Sequence, residues 1–159
     1  MTVTGQHFRT MKAANGPRMS TTSWLRISAV IALLFAAGHT LGGFTDWSPM
    51  GDNPVLVAMR TVHFDTMGAH RSYLDFYRGF GYALSVSQCL IAVLLWQLAA
   101  LARSHPPAAR PMMLAIALSN VAGGIIAALF IFPVPAMFSM VLIATLIMAY
   151  RKAGVPLTP

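Results

Sequence analysis

The chain has 159 residues, of which 57% are hydrophobic and only 9% charged. A water-soluble domain carries roughly a quarter of its residues as Asp, Glu, Lys or Arg, so this composition excludes a protein surrounded by water and points to a lipid bilayer. A net charge of +7 does not indicate nucleic acid as a partner, because the basic residues lie scattered between apolar runs and form no continuous basic face.

Residues 1–23 are polar and basic and lack hydrophobic periodicity, which predicts a disordered cytoplasmic tail. Hydrocarbon about 30 Å thick needs about 20 apolar residues in helical form. Four segments approach that length: 24–43, 79–101, 112–132 and 136–150. The expected fold is therefore an all-α membrane protein, a four-transmembrane-helix bundle over residues 24–153 followed by a short tail, 154–159. The first span also resembles a signal peptide, with small residues at Ala36-Ala37-Gly38, but its basic start is long and its apolar run continues to Phe44. The second carries Cys89, whose solitude rules out an internal disulfide or a Cys-x-x-Cys redox pair. Ser104 to Arg110, with Pro106-Pro107, reads as a turn. The last span is short, which suits a locally thinned bilayer.

Short cytoplasmic segments accumulate Lys and Arg. Arg9, Lys12, Arg18, Arg26, Arg103, Arg110, Arg151 and Lys152 all fall on one side of the predicted spans, with no acid among them. The long connection 44–78 holds Arg60, Arg71 and Arg78 together with every acid in the chain, Asp46, Asp52, Asp65 and Asp75. Both termini are thus expected in the cytoplasm, which an even number of spans requires, and the long loop outside.

A loop of this length is expected to carry structure of its own. Asn53 followed by Pro54 is a helix-start signal, predicting an amphipathic interfacial helix over 54–67 that ends at Gly68. Leu56, Met59, His63 and Met67 share its apolar stripe, and Trp47 suits the interfacial zone. Ser72 and Asp75 have capping-box spacing, so the second long helix is expected to start near Ser72 and carry Tyr73, Phe76, Tyr77 and Phe80 through the interface as an aromatic belt.

The strings Gly38-His39-Thr40-Leu41-Gly42-Gly43 and Arg71-Ser72-Tyr73-Leu74-Asp75-Phe76-Tyr77-Arg78-Gly79-Phe80-Gly81 resemble a family of small bacterial four-span membrane proteins with no assigned reaction. More distantly, the layout resembles the DoxX-type four-helix membrane proteins. The resemblance covers the first two spans and the loop, and implies a four-helix bundle in a bacterial inner membrane. DoxX-type proteins are linked to quinone-coupled sulfur oxidation, but none of their functional residues is matched here.

Ionisable groups inside a membrane are costly and are functional candidates by default. His39 lies about 20 Å beyond Arg26 at 1.5 Å per residue, in the outer leaflet, where Gly38 and Gly42 permit close helix approach. Tyr77, Gly81, Ser85 and Gln88 share a stripe of the second span, and Gln88 and Asn120 fall at similar, near-central depth. Polar groups in lipid turn toward one another, which predicts an internal polar line that is either interhelical glue or a site. The loop adds His63, Asp65, His70, Arg71 and Asp75. On a helix His63 and Asp65 point about 200° apart and the spacings lack a zinc pattern, so no metal and no cofactor is expected. Arg71 and Asp75 suit an ion pair, and Arg78 is expected to snorkel to the headgroups.

These residues support a membrane-embedded site for a lipid-soluble small molecule, open to the outer leaflet. His39, Asp75 and Asp65 are its candidate catalytic groups, and Arg71, Tyr77, His63, His70, Gln88 and Asn120 its candidate ligand-binding groups. If it is an enzyme, a histidine that both takes and gives protons suits isomerisation or epoxide opening. The alternative is a non-enzymatic accessory subunit of a membrane complex or a homo-oligomer, packed through small residues and methionines. Transport ranks below both, since no inverted repeat or midplane charge appears.

Overall fold

The computed structural model describes residues 19–154; of the expected tails, 1–23 and 154–159, all but residues 19–23 and 154 lie outside the described residues. Four long helices dominate: α1 (Thr21–Gly42), α3 (Tyr73–Ser104), α4 (Pro106–Phe130) and α5 (Pro133–Ala153). All four are long and apolar enough to cross a membrane. Between α1 and α3 lie a short 3-10 turn (Gly43–Thr45), a helix α2 (Pro54–Thr61) and a hairpin of β1 (His63–Thr66) and β2 (Ala69–Ser72).

The helices form an antiparallel ring in the order α3, α1, α5, α4, and the contact between α3 and α4 that closes it is the sparsest. Thr22 donates to the Ala99 carbonyl (3.3 Å) at one end of the α1–α3 contact, and His39 meets Ser85 at the other. Across α1 and α5, the hydroxyls of Ser28 and Thr145 are hydrogen-bonded at 2.8 Å. The core is built largely from Ala29, Ala32, Ala92, Ala99, Ala109 and Ala149, with Leu25, Leu95, Leu98, Met113 and Leu146 between them. Small residues let backbones approach where there is no water to drive apolar side chains together. The larger apolar side chains, Leu34, Val86, Leu90, Leu118 and Ile125 among them, point outward, as a lipid-facing surface requires.

Helix ends explain most departures from the expected spans. Ser20 caps α1 by accepting from the Ser23 amide, so the helix starts at Thr21, inside the stretch expected to be tail. Pro106 and Pro107 do not make a turn: they occupy the first positions of α4, where the missing N–H has no intrahelical partner anyway. Only His105 separates α3 from α4. Pro133 likewise opens α5, which has 21 residues and is not short. The Ser72–Asp75 capping box forms as predicted, the Ser72 amide donating to Asp75 Oδ2 (3.0 Å) and the Asp75 amide to Ser72 Oγ (3.1 Å).

The loop needs a larger correction. Asn53 caps α2, accepting from the amides of Val55 and Leu56, but the helix ends at Thr61 and not at Met67. His63–Thr66 instead pairs antiparallel with Ala69–Ser72, in the register His63 opposite Ser72 and Asp65 opposite His70. Met67 and Gly68 make the two-residue turn with φ of 48° and 79°, the left-handed pair that matches the twist of a hairpin. A β-rich run, Val62-His63-Phe64, and a glycine at the second turn position outweigh the helical spacing. The stripe Leu56, Met59, His63, Met67 therefore does not exist as one face.

Candidate functional site

At the loop end of the bundle the chain leaves α1 and folds back on itself. Asp46 and Trp47 both have left-handed backbone conformations, φ 52° and 48°, and their amides donate to the carbonyls of Gly43 (3.1 Å) and Gly42 (2.9 Å). This reversal swings the Trp47 indole over the end of α1. A Cβ at Gly42 would come within 2.9 Å of the indole, one at Gly43 within 3.0 Å, and one at Gly81 of α3 would overlap the ring outright. Three glycines, two from α1 and its end and one from α3, thus form a cradle for one side chain. Gly38, expected to serve a helix contact with Gly42, has nothing within 4 Å of where its Cβ would be.

The indole N–H donates to the His39 carbonyl (2.7 Å), and the His39 ring lies between Trp47 (5.1 Å between centroids) and Phe35 (5.8 Å). His39 Nδ1 is 3.0 Å from Ser85 Oγ. One layer deeper, Gln88, Asn120 and Ser139 line a cavity together with Phe35, Ile31 and Phe138. Its volume of about 20 Å³ admits a single water, and no ligand of drug size. Gln88 and Asn120 line the same cavity, and Asn120 donates to the Ile116 carbonyl (2.9 Å).

Behind the cradle sits a charge cluster. The Asp46 side chain is only 9% exposed and accepts from Arg78 Nε, while Arg60 Nη2 is 3.7 Å from its other oxygen. Arg78 is thus an ion-pair partner of Asp46 and does not simply snorkel. Arg60 also reaches Asp52 at 3.5 Å.

The hairpin presents two faces. Phe64 packs against Tyr73 and Phe76, and Phe76 against Phe80, tying one face to the aromatic first turns of α3. His63, Asp65 and His70 stand on the other and are exposed. Beside the tied face Arg71, Asp75, Phe76, Gly79, Phe80 and Ala83 enclose an open hollow of about 330 Å³, within the size range of small-molecule sites. Arg71 does not pair with Asp75; its Nη1 donates to the His70 carbonyl (2.8 Å). Both groups line the hollow, and neither is hydrogen-bonded to the other.

The candidate residues therefore divide into four places. His39 lies with Ser85 inside the bundle, with Gln88 and Asn120 one layer beneath. Tyr77 touches the outer edge of Trp47, 5.9 Å between centroids. Asp75 and Arg71 are in the hollow, and His63, Asp65 and His70 on the outer face of the hairpin. Asp75 is ten residues before Ser85 on α3, about 15 Å along the helix, so the structure does not join His39 to a carboxylate. Among the described residues no three His, Cys, Asp or Glu side chains are grouped so as to hold a metal ion.

Sequence reasoning missed Ser85 as the partner of His39, Asp46 as the buried acid and Trp47 as the residue the glycines serve. The glycines at 42, 43 and 81 were the available signal for Trp47. Nothing in the sequence announces that a non-glycine pair, Asp46-Trp47, adopts left-handed conformations. In comparisons with known proteins, no family model, no curated protein and no solved structure matches the chain.

Proposed function

We propose that the protein is a four-span protein of a bacterial inner membrane, with both termini cytoplasmic, that holds the polar head of a lipid-soluble small molecule in the Arg71–Asp75 hollow at the outer leaflet. The observation that carries this reading is a guanidinium and a carboxylate lining one hollow with Phe76, Gly79 and Phe80, each with polar atoms to spare beyond the bonds of Arg71 Nη1 to the His70 carbonyl and of Asp75 Oδ2 to the Ser72 amide. Arg71 can donate to a head-group oxygen and Asp75 can accept from a hydroxyl or ammonium, while Phe76, Phe80, Gly79 and Ala83 take the apolar part. The aromatic belt around the hollow suits the membrane interface, where an amphipathic ligand has its head. The clustering of Arg103, Arg110, Arg151 and Lys152 at the opposite end supports the orientation.

The kinship to small bacterial four-span proteins is part of the proposal. The two strings that carry the resemblance contribute His39, Gly42, Gly43 and Gly81, which meet around Trp47. In this reading that junction braces α1 against α3 behind the hollow, and His39 is a positioning residue. The acid–base alternative pairs His39 with Asp75 or Asp65; His39 bonds instead to Ser85, with Asp75 in the hollow and Asp65 on the hairpin, which favours binding over that alternative.

Mass spectrometry of small molecules that co-purify with the protein tests the reading. The wild-type protein should carry a recurrent lipid-soluble species, reduced at least tenfold in Arg71→Ala, as expected when a charge-assisted contact worth about 1.5–3 kcal/mol is removed. Arg103→Ala, at the other end of the bundle, should retain it. Equal retention in both variants, or no recurrent species, contradicts the proposal.

A further inference from the structure

The end of the bundle away from the loop is strongly cationic. Arg26 of α1, Arg103 of α3, Arg110 of α4, and Arg151 and Lys152 of α5 all lie there, whereas the acidic side chains of the chain all fall between Asp46 and Asp75 at the other end. Among the described residues, none of these five cations makes a side-chain ion pair. Two of them are placed by aromatic rings instead. The Arg110 guanidinium lies 4.3 Å from the centroid of the Tyr150 ring, across the α4–α5 contact, and a Cβ at Gly154 would come within 3.3 Å of its Nη1. Packed between that ring and the end of α5, its Nε is the one buried side-chain polar atom without a hydrogen-bond partner among the described residues. The Arg26 guanidinium lies 5.3 Å from the centroid of Trp96, across the α1–α3 contact on the opposite side of the ring of helices.

A guanidinium over an aromatic face keeps its charge and its fork of N–H donors. The anions that fork matches are carboxylate and phosphate, and the chain has no acidic side chain at this end to supply the first. Arg26 and Arg110 lie five and four residues inside the starts of α1 and α4, about 6–8 Å along each axis. Trp96 is 54% exposed on the outward surface, and indole and phenol rings suit the headgroup level of a bilayer. An anion at that level reaches the two arginines from the headgroup layer. We propose that this end of the bundle binds the headgroups of anionic phospholipids, the Arg26–Trp96 and Arg110–Tyr150 pairs each donating to a phosphodiester oxygen while the acyl chains run along the apolar helix faces. Arg103, Arg151 and Lys152 add a positive field that favours a lipid of net negative charge over a zwitterionic one, whose own cation they repel.

The test is titration of the delipidated full chain in a neutral detergent with dioleoyl phosphatidylglycerol, dioleoyl phosphatidylcholine or inorganic phosphate, read by thermal unfolding and native mass spectrometry. The expected result is a melting temperature raised more by phosphatidylglycerol than by phosphatidylcholine and unmoved by inorganic phosphate, with phosphatidylglycerol the lipid retained. Arg26→Gln and Arg110→Gln should each weaken the preference about fivefold, as the loss of one cation beside an anionic headgroup implies. Tyr150→Leu, which removes a ring but no charge, should weaken it in the same direction. Arg103→Gln removes the same charge at the same end, from an exposed arginine with no such ring beneath it among the described residues, and should leave most of the preference. Each comparison is between two lipids on one variant, so a variant of lower intrinsic stability still gives a reading. An equal response to both lipids overturns the proposal, as does a loss in Arg103→Gln as large as in Arg110→Gln, which means a diffuse field. Stabilisation by inorganic phosphate equal to that by phosphatidylglycerol overturns it too, in favour of a site for a soluble anion. The hollow lies at the other end of the bundle and its ligand is absent from every arm, so the two proposals stand or fall separately.

Discussion

Gly81 shows how much a single missing side chain can decide. It lies on α3 where the Trp47 indole presses against the helix backbone, and a methyl group there would occupy the space of the ring. The indole is held by its bond to the His39 carbonyl and by Tyr82, 5.2 Å away edge-on, so it has no easy retreat. Gly81→Ala should therefore destabilise the protein by about 1–3 kcal/mol, the usual cost of overpacking, whereas Gly79→Ala, with nothing within 4 Å, should not. Thermal unfolding of the two variants in detergent checks this; equal melting temperatures would sink the cradle. At this scale the sequence was partly legible. His39 stands out because ionisable groups are rare in apolar helices, and Gln88 and Asn120 because equal depth brings polar groups together. Asp46, one acid among four in a loop, became distinctive only once Arg78 and Arg60 closed on it.

Element boundaries follow local chemistry, and they could be read wherever that chemistry was unambiguous. Asn53-Pro54 and Ser72-x-x-Asp75 each start a helix because a side chain satisfies amides that the first turn leaves free. Pro106 and Pro133 do not mark loops, because a proline that breaks a helix from within also opens one at its first position. The segment after Thr61 was ambiguous for another reason: the i+3 and i+4 spacing of apolar residues fits a helix, while β-branched and aromatic residues before Met67-Gly68 fit a hairpin. The turn decides it, since its residues need positive φ, which a helix cannot accommodate. The hairpin tip also gives the most accessible handle on orientation, because the Met67 side chain is fully exposed. A cysteine introduced as Met67→Cys in a Cys89→Ala background should react with a membrane-impermeant maleimide added to intact cells. Reaction only after the cells are broken would place the loop end inside and reverse the proposed orientation.

For the whole molecule, alanine-rich contacts bring four helices into a closed ring whose interior admits little more than a water molecule. The four-span architecture was legible because a bilayer forces long apolar helices whose backbone bonds are satisfied within each segment. The location of the hollow was not, since it depends on where the hairpin leans against α3, and the contacts that fix it, Phe64 with Tyr73 and Phe76, form only once the hairpin exists. A tight interior and an open, charged hollow together favour a protein that presents a ligand at its flank over one that encloses it. Photo-crosslinking tests that claim most directly, with a photoactivatable phenylalanine analogue in place of Phe80 in the hollow and, separately, in place of Leu118 on the outward face of α4. The account predicts one recurrent small-molecule adduct at position 80 and only bulk phospholipid at position 118. The same mixture of adducts at both positions would contradict it.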